Sequence, residues 1–126
     1  MKKLIFGLVG LLAISGAFAQ DTMMKSSAYI AYSKAAFDKA SPQKRVLFFA
    51  ASWCSTCRTA DKDFNANLKK IPQNVMVFKA DYDTETALKT TYKITRQHTF
   101  VFVDAKGVAL KTWSGGATAE LLANTK

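Results

Sequence analysis

The feature that most limits how this chain folds is an almost unbroken apolar run, VLFFAA, over residues 46–51. A strand with one face in water alternates apolar and polar residues, whereas a strand covered by helices on both faces is apolar throughout. We therefore predict that residues 46–51 form a central strand in a sheet with helices on both faces.

The segments around this run alternate between strand and helix patterns. Further strands are predicted over residues 29–32, 75–80, 100–103 and 108–113, with the sequence DAKG as a hairpin turn between the last two. Helices are predicted after Ser33, from Cys54 to just before Pro72, after Asp83 or Thr84, and over about 118–124. This order predicts an α/β fold in which a central mixed sheet of four to five strands carries helices on both faces.

Residues 1–19 have the pattern of a secretory signal peptide. Lys2 and Lys3 precede an apolar run over 4–14, and small residues follow up to Ala19. The run is shorter than the roughly 20 residues that span a bilayer. We expect cleavage after Ala19, export to the periplasm or the extracellular space, and no stable membrane insertion afterwards. A polar lead over 20–28 and one domain over 29–126 would remain.

The formal net charge of +9 raises the question of a nucleic-acid partner. The basic residues are dispersed, with pairs only at Lys44-Arg45 and Lys69-Lys70, and no aromatic or glycine residues are interleaved with them. We interpret the charge as a solvated surface and predict no nucleic-acid partner.

The only two cysteines, Cys54 and Cys57, follow the central strand directly. Residues three apart on a helix face the same way, with Cβ atoms roughly 5–6 Å apart, so the two sulfurs can join with little adjustment. As a purely structural cross-link, a disulfide that closes a four-residue ring would add only about 2 kcal/mol to the free energy of unfolding. Disulfides also persist outside the cytosol. The spacing therefore favours a reversible Cys54–Cys57 redox disulfide.

The two cysteines should differ in reactivity. Cys54, at the start of the helix, meets free backbone N–H groups and the positive end of the helix dipole, which favour its thiolate. Cys57 lies one turn further on and on the apolar side, where its sulfur can attack a mixed disulfide formed at Cys54. We predict that Cys54 is the nucleophile and Cys57 the resolving cysteine, with no organic cofactor.

The segment FFAASWCSTCR over 48–58 resembles the active site of the thioredoxin family, in which a strand precedes Trp-Cys-x-x-Cys at a helix start. YKITRQHTFVFVDAKG resembles the family's stretch leading into the last hairpin, so the similarity covers residues 29–124. The resemblance implies a thioredoxin fold and an enzyme that exchanges thiols and disulfides with proteins or small molecules. Its substrate groove would consist of Trp53, Ser55, Thr56, Gln97, His98 and Thr99.

One departure from the family is His98, which stands where thioredoxins carry a cis proline. A non-proline cis peptide costs roughly 2.5–4 kcal/mol, so we expect a trans Gln97–His98 bond. His98 could be a loop residue with no chemical role. Alternatively, it could stabilise the Cys54 thiolate or transfer a proton to the departing sulfur. It could also join Cys54 and Cys57 as a ligand for zinc, copper(I) or an iron–sulfur cluster, although the sequence indicates no fourth ligand.

A second departure is Phe48, which stands where reducing thioredoxins carry a buried aspartate. Lys79 matches the lysine that accompanies that acid, and without the acid we interpret it as a surface lysine. Water, His98 or another group would have to accept the proton of Cys57. Trp53 is expected to form a wall of the groove, and Trp113 to lie in the core.

The chain lacks the large helical insertion of periplasmic disulfide oxidases, which favours a reductase supplied with electrons by a membrane-linked partner. Two other functions remain open. One is a metal-binding or metallochaperone module that uses Cys54, Cys57 and His98, and the other is a non-enzymatic thioredoxin-like binding domain. The Ser55-Thr56 dipeptide does not indicate the direction of electron flow.

Overall fold

The computed structural model describes residues 27–126, so the predicted signal peptide and most of the polar lead lie outside the described residues. The sheet consists of β1 Tyr29–Ala31, β2 Lys44–Ala50, β3 Val75–Asp81, β4 Thr99–Val103 and β5 Ala109–Ser114. Its order is β1-β3-β2-β4-β5. The first three strands of that order are parallel, and β4 and β5 are each antiparallel to their neighbour. The mixed sheet predicted from the sequence is confirmed, with five strands.

Residues 27–126 form four helices: α1 Lys34–Lys39, α2 Ser55–Ala66 and α3 Thr86–Tyr92 connect strands, and α4 Thr118–Asn124 follows the last strand. The hydroxyl of Ser33 caps α1 by accepting the Ala36 N–H at 3.1 Å, as expected for serine at this position. Along residues 27–126 no helix is both long and apolar enough to cross a bilayer.

Strand β2 is the centre of the molecule, as its composition predicts. Val46, Leu47, Phe48 and Phe49 are each 0% exposed. Alternate residues serve two cores: Val46 and Phe48 belong to one cluster, and Leu47 and Phe49 to the other. Fully burying a side chain of this size contributes about 1.5–3 kcal/mol, so β2 is a rigid base for the residues that follow it.

Two helix boundaries differ from the prediction. Helix α2 ends at Ala66, and a 3-10 turn over Leu68–Lys70 follows it. The Asn67 side chain donates to the Asp63 carbonyl at 2.8 Å, and such local side-chain bonds compete with the helical ladder. Helix α3 begins after Glu85 rather than after Asp83 or Thr84, so the predicted caps were wrong.

The pair Lys44-Arg45 is not the solvated surface feature that the sequence suggested. Arg45 is 2% exposed. Its guanidinium donates to the carbonyls of Phe37 at 2.9 Å, Asp104 at 2.7 Å and Ala105 at 3.2 Å. Backbone carbonyls therefore solvate the Arg45 guanidinium, which the sequence pattern predicted to be exposed to solvent.

Candidate active site at the carboxyl end of strand β2

Cys54 lies just beyond the carboxyl end of β2 and caps helix α2. Its own N–H donates to the Ala51 carbonyl at 3.1 Å, which closes a tight turn after the strand. Its Sγ accepts the Cys57 N–H at 3.2 Å. Sulfur therefore occupies the place of a helix-capping oxygen, facing N–H groups that have no partner within the helix. This is the position that the sequence predicted for a stabilised thiolate.

Cys57 lies one turn further along α2 and is 1% exposed. Both cysteines are free thiols. Burial, and then the neighbouring Cys54 sulfur, raise the pKa of Cys57 to about 11. At neutral pH this sulfur is therefore held as a protonated thiol.

The pKa of the Cys54 thiol is shifted in the opposite direction. Burial alone would raise its pKa, since only 5% of the residue is exposed. Hydrogen bonds from Cys57 and from the Thr56 hydroxyl outweigh burial and lower the pKa of Cys54 below its ordinary value. The two sulfurs are thus chemically unequal in the sense that the sequence predicted.

His98 is brought to the cysteines by an unusual backbone. No peptide bond within residues 27–126 is cis, so the Gln97–His98 bond is trans, as expected. His98 has a φ of 57°, in the left-handed region where histidine is one of the few tolerated side chains. Its N–H donates to the Phe49 carbonyl at 2.7 Å, and its carbonyl accepts the Gly115 N–H at 2.8 Å. These two bonds fix the residue in this conformation.

Both ring nitrogens of His98 have partners. Nε2 lies 2.8 Å from the Gly116 carbonyl oxygen, and Nδ1 lies 2.9 Å from the Thr56 hydroxyl. A carbonyl can only accept, so Nε2 must carry a proton. The imidazole also lies 5.7 Å from the rings of Phe48 and Phe100. Hydrogen bonds to both nitrogens therefore fix the His98 ring within the site.

The other residues of the predicted groove are placed unequally. Trp53 is 57% exposed, and its indole N–H donates to the Asp83 carboxylate at 2.9 Å. Ser55 and Thr56 are exposed, and Gln97 is half-buried. Thr99 is buried and donates its hydroxyl to the Arg96 carbonyl at 2.9 Å, so its side chain serves the loop.

An acidic residue that the sequence reasoning missed lies on the far side of Cys57. Asp61 accepts hydrogen bonds from the Tyr29 hydroxyl at 2.6 Å and from Lys79 Nζ at 3.0 Å. Cys57, Asp61 and Lys79 line the same open pocket of about 440 Å³. The signal available in the sequence was the spacing of Cys57 and Asp61, four apart on one helix. Lys79 is therefore an ion-pair partner rather than an isolated surface lysine.

The predicted aromatic residues differ in burial. Phe48 stacks on Phe100 with ring centroids 4.6 Å apart, and Phe100 stacks on Trp113 at 5.2 Å. Phe48 is fully buried, whereas Trp113 is half-buried against the core. The position expected to hold an acid is thus part of an apolar stack beneath His98.

The site also contains a possible set of metal ligands. One ligand atom from each of Cys54, Cys57 and His98 lies within 4.8 Å of the others, and no other such group was found within residues 27–126. Zinc in a structural site takes four ligands, and this set supplies three. The two ring nitrogens of His98 already have partners within the protein, which weakens the set further.

Comparison with known proteins identifies the family. The thioredoxin family model matches residues 28–126. Thioredoxin H3 of Arabidopsis thaliana is 34% identical over 79 residues, which cover 63% of this chain and 65% of that protein. The chain thus spans slightly less than two thirds of that relative.

Solved structures agree with this assignment. The thioredoxin of Fasciola hepatica is 28% identical with a TM-score of 0.61, and the match covers 71% of this chain and 85% of that one. Trxlp from Edwardsiella tarda is 22% identical with a TM-score of 0.64, covers 76% and 95%, and supports the fold alone. The thioredoxin fold expected from the sequence is confirmed, and the chain belongs to the thioredoxin family.

Proposed function

We propose that this chain is an exported thiol–disulfide oxidoreductase in which Cys54 attacks and Cys57 resolves. The observation that carries the proposal is the unequal placement of two free thiols. Cys54 Sγ accepts the Cys57 N–H at 3.2 Å at the start of α2, while Cys57 is 1% exposed behind it. Membership of the thioredoxin family supports the same chemistry.

The proposed cycle moves two electrons. The Cys54 thiolate attacks a substrate disulfide, which forms a mixed disulfide and releases a substrate thiolate that takes up a proton. Cys57 then attacks Cys54 Sγ, which forms the Cys54–Cys57 bond and breaks the mixed disulfide, and the proton that Cys57 gives up neutralises the second substrate thiolate as it leaves. Both cysteines are oxidised and the substrate disulfide is reduced. Run in reverse, the same steps oxidise a substrate dithiol.

The surface beside Cys54 suits a protein substrate. Trp53 offers a large exposed ring, and this ring is fixed by its bond to Asp83 and by edge-to-face contact with Tyr82 at 6.4 Å. A fixed aromatic ring provides contact area at low entropic cost. We propose that Trp53, Ser55, Thr56, Gln97 and His98 border the place where a substrate segment lies.

A trapping experiment tests the roles of the two cysteines. Cys57→Ser should accumulate a mixed disulfide with a disulfide-containing test protein, because the resolving sulfur is gone. Cys54→Ser should form none under the same conditions. Equal trapping by both variants, or trapping only by Cys54→Ser, would refute the assignment.

Export and direction are separate parts of the proposal. Expression of the full chain in a bacterial host, followed by mass measurement of the mature protein, should place Gln20 first. Equilibration of the Cys54–Cys57 couple with glutathione then gives its potential, and a value below that of the glutathione pool would support a reductase fed by a membrane-linked donor. An oxidising potential would instead assign disulfide formation.

The metal-binding module is the second candidate because Cys54, Cys57 and His98 lie together. Protein purified under reducing conditions would then hold metal in a one-to-one ratio, and His98→Ala would abolish it. A couple that exchanges with glutathione in metal-free protein favours redox work. If the Cys54–Cys57 couple never exchanges with protein disulfides, the remaining function is that of a non-enzymatic binding domain.

A further inference from the structure

Three side chains form a continuous hydrogen-bonded line that ends at Cys54. Cys54 Sγ lies 3.3 Å from Thr56 Oγ1, and Thr56 Oγ1 lies 2.9 Å from His98 Nδ1. On the far side of the ring, Nε2 donates to the Gly116 carbonyl at 2.8 Å. The hydroxyl therefore joins a thiol of lowered pKa to the only histidine in the chain.

The Thr56 hydroxyl is used differently from three threonines further along helices α2 and α3. Thr59, Thr90 and Thr91 each donate back to the carbonyl four residues earlier, at 3.2, 3.1 and 3.0 Å. Such a bond satisfies the hydroxyl within its own helix. Thr56 instead turns its hydroxyl outward to Cys54 and His98.

The positions of the protons follow from the acceptor at the end of the line. The Gly116 carbonyl fixes a proton on Nε2, so Nδ1 of the neutral ring accepts and the Thr56 hydroxyl donates to it. Thr56 Oγ1 can then accept from the Cys54 thiol. If both protons move one place, Cys54 becomes a thiolate that accepts from Thr56, and His98 becomes an imidazolium that donates to Thr56. Every group keeps a partner in both states.

We propose that Thr56 and His98 form a proton relay for Cys54. In the forward direction the Cys54 proton passes to Thr56 Oγ1 as the Thr56 proton passes to His98 Nδ1, and Cys54 attacks. The proton held on His98 then passes back along the line to the departing substrate thiolate. In the reverse direction the relay protonates Cys54 as it leaves the mixed disulfide. This inference rests on the proposed function.

The surroundings of the ring suit a group that gains and loses a charge. The thiols of Cys54, which caps α2, and of Cys57 in its first turn lie beside the ring, and the apolar rings of Phe48 and Phe100 face it from β2 and β4. From α4, Glu120 accepts the Ala117 N–H at 2.8 Å. That bond keeps the pKa of Glu120 below its ordinary value, and the charge of a protonated His98 would act in the same direction.

The backbone supports the same assignment. Non-glycine residues in the left-handed region cluster at functional sites, where the surrounding structure holds them. His98 is held there by backbone bonds to Phe49 and Gly115. This conformation brings the imidazole to within 2.9 Å of the Thr56 hydroxyl.

The first test is NMR of the His98 ring nitrogens at pH 7, which is unambiguous because the chain has one histidine. Their signals in the reduced protein should differ from those in Cys54→Ser, because only the Cys54 thiol can pass a proton through Thr56 to Nδ1. Thr56→Val should reduce that difference. Identical ring signals in the reduced protein and in Cys54→Ser would overturn the relay.

The second test is the pH profile of Cys54 alkylation by iodoacetamide. His98→Asn, which tolerates the left-handed backbone but does not titrate, and Thr56→Val should each slow alkylation at pH 7 by about tenfold. The double variant should be no slower than either single variant, because the two residues act in one line. Thr56→Ser should restore the rate.

Thr59→Val is the matched control, since it removes an exposed threonine hydroxyl one turn along the same helix. Its rate should equal that of the wild type. Additive effects of His98→Asn and Thr56→Val, or equal slowing by Thr59→Val, would overturn the relay. Failure to exchange with any disulfide, despite normal coupling between His98 and Cys54, would instead refute the proposed function and leave the relay standing.

Discussion

At the scale of single residues, the site depends on one backbone position as much as on two sulfurs. His98 has a φ of 57° and donates its N–H to the Phe49 carbonyl at 2.7 Å. Both properties are incompatible with proline, which fixes φ near about −65° and has no N–H. The proline that the family carries at this position therefore does not fit the backbone of this loop.

His98→Pro should destabilise the protein, although it restores the residue expected from the family. We expect a loss of about 3 kcal/mol in the free energy of unfolding, from the lost hydrogen bond and the mismatched φ. Chemical denaturation measures this value. His98→Asn, which tolerates the left-handed region, serves as the control, and a His98→Pro protein as stable as the wild type would contradict the prediction.

The two thiols also make stability depend on pH and on oxidation. Folding raises the pKa of Cys57 from its ordinary value of 9.0 to about 11, chiefly through burial. A raised pKa means that the contribution is present in full below pH 9 and is lost as pH rises towards 11. The lowered pKa of Cys54 contributes in the opposite sense: its contribution is present in full above the unfolded value of 9.0 and is lost as pH falls below it through the lowered pKa.

Reduced protein should therefore lose about 2 kcal/mol of stability between about pH 9 and pH 11 relative to the oxidised protein. The oxidised protein is the matched control, because a disulfide has no thiol to titrate. Denaturation at several pH values, with and without reductant, gives the difference. Parallel curves for the two forms would show that Cys57 is not buried as a thiol.

At the scale of elements, apolar runs predict the buried strands and the DAKG turn predicts the exposed last strand, whereas polar side chains decide how the helices end and what they contact. The run over 46–51 carries its own evidence of burial, since no polar residue interrupts it. The end of α2 instead depends on the Asn67 side chain bonding to the Asp63 carbonyl. The role of Asp61 depends on Tyr29 and Lys79, residues distant in sequence that only the assembled sheet brings to it.

Asp61 connects α2 to β1 and β3, so its loss should loosen the helix that carries both cysteines. Asp61→Asn should lower the free energy of unfolding by about 1–2 kcal/mol, mostly through the bond to the Tyr29 hydroxyl. The Lys79 pair contributes little, since its side chains are 44% and 30% exposed. The burial that would raise the pKa of Asp61 is outweighed by these bonds, which lower it, so its stabilising effect is lost in acid.

Asp38→Asn is the control for this variant, because the Lys34–Asp38 pair is 82% and 54% exposed. It should change stability by no more than about 0.5 kcal/mol. A double-mutant cycle of Asp61→Asn with Tyr29→Phe should show coupling between the two sites. Additive effects would mean that the 2.6 Å contact does not contribute to stability.

At the scale of the whole molecule, the active site lies at one end of β2 and a buried cation lies at the other. Arg45, near the start of β2, bonds to carbonyls of Phe37, Asp104 and Ala105, and its guanidinium carbon lies 4.1 Å from the centre of the Phe37 ring. The sequence could not show this, because a lysine–arginine pair before an apolar run is also typical of a solvated strand end. Three separate carbonyls create the site only after the fold forms.

Because this contact joins α1 to the turn between β4 and β5, it should matter for the fold and not for the chemistry. Arg45→Lys should lower the free energy of unfolding by about 2 kcal/mol, because an ammonium cannot reach several carbonyls in the planar geometry of a guanidinium or stack on Phe37 in the same way. Arg96→Lys, at an exposed position, should be neutral. Below its unfolding transition the Arg45→Lys protein should alkylate Cys54 at the wild-type rate. If Arg45→Lys is as stable as the wild type, the carbonyl contacts do not contribute to the free energy of unfolding. If the folded variant alkylates Cys54 more slowly than the wild type, strand β2 transmits changes at its start to the site at its end.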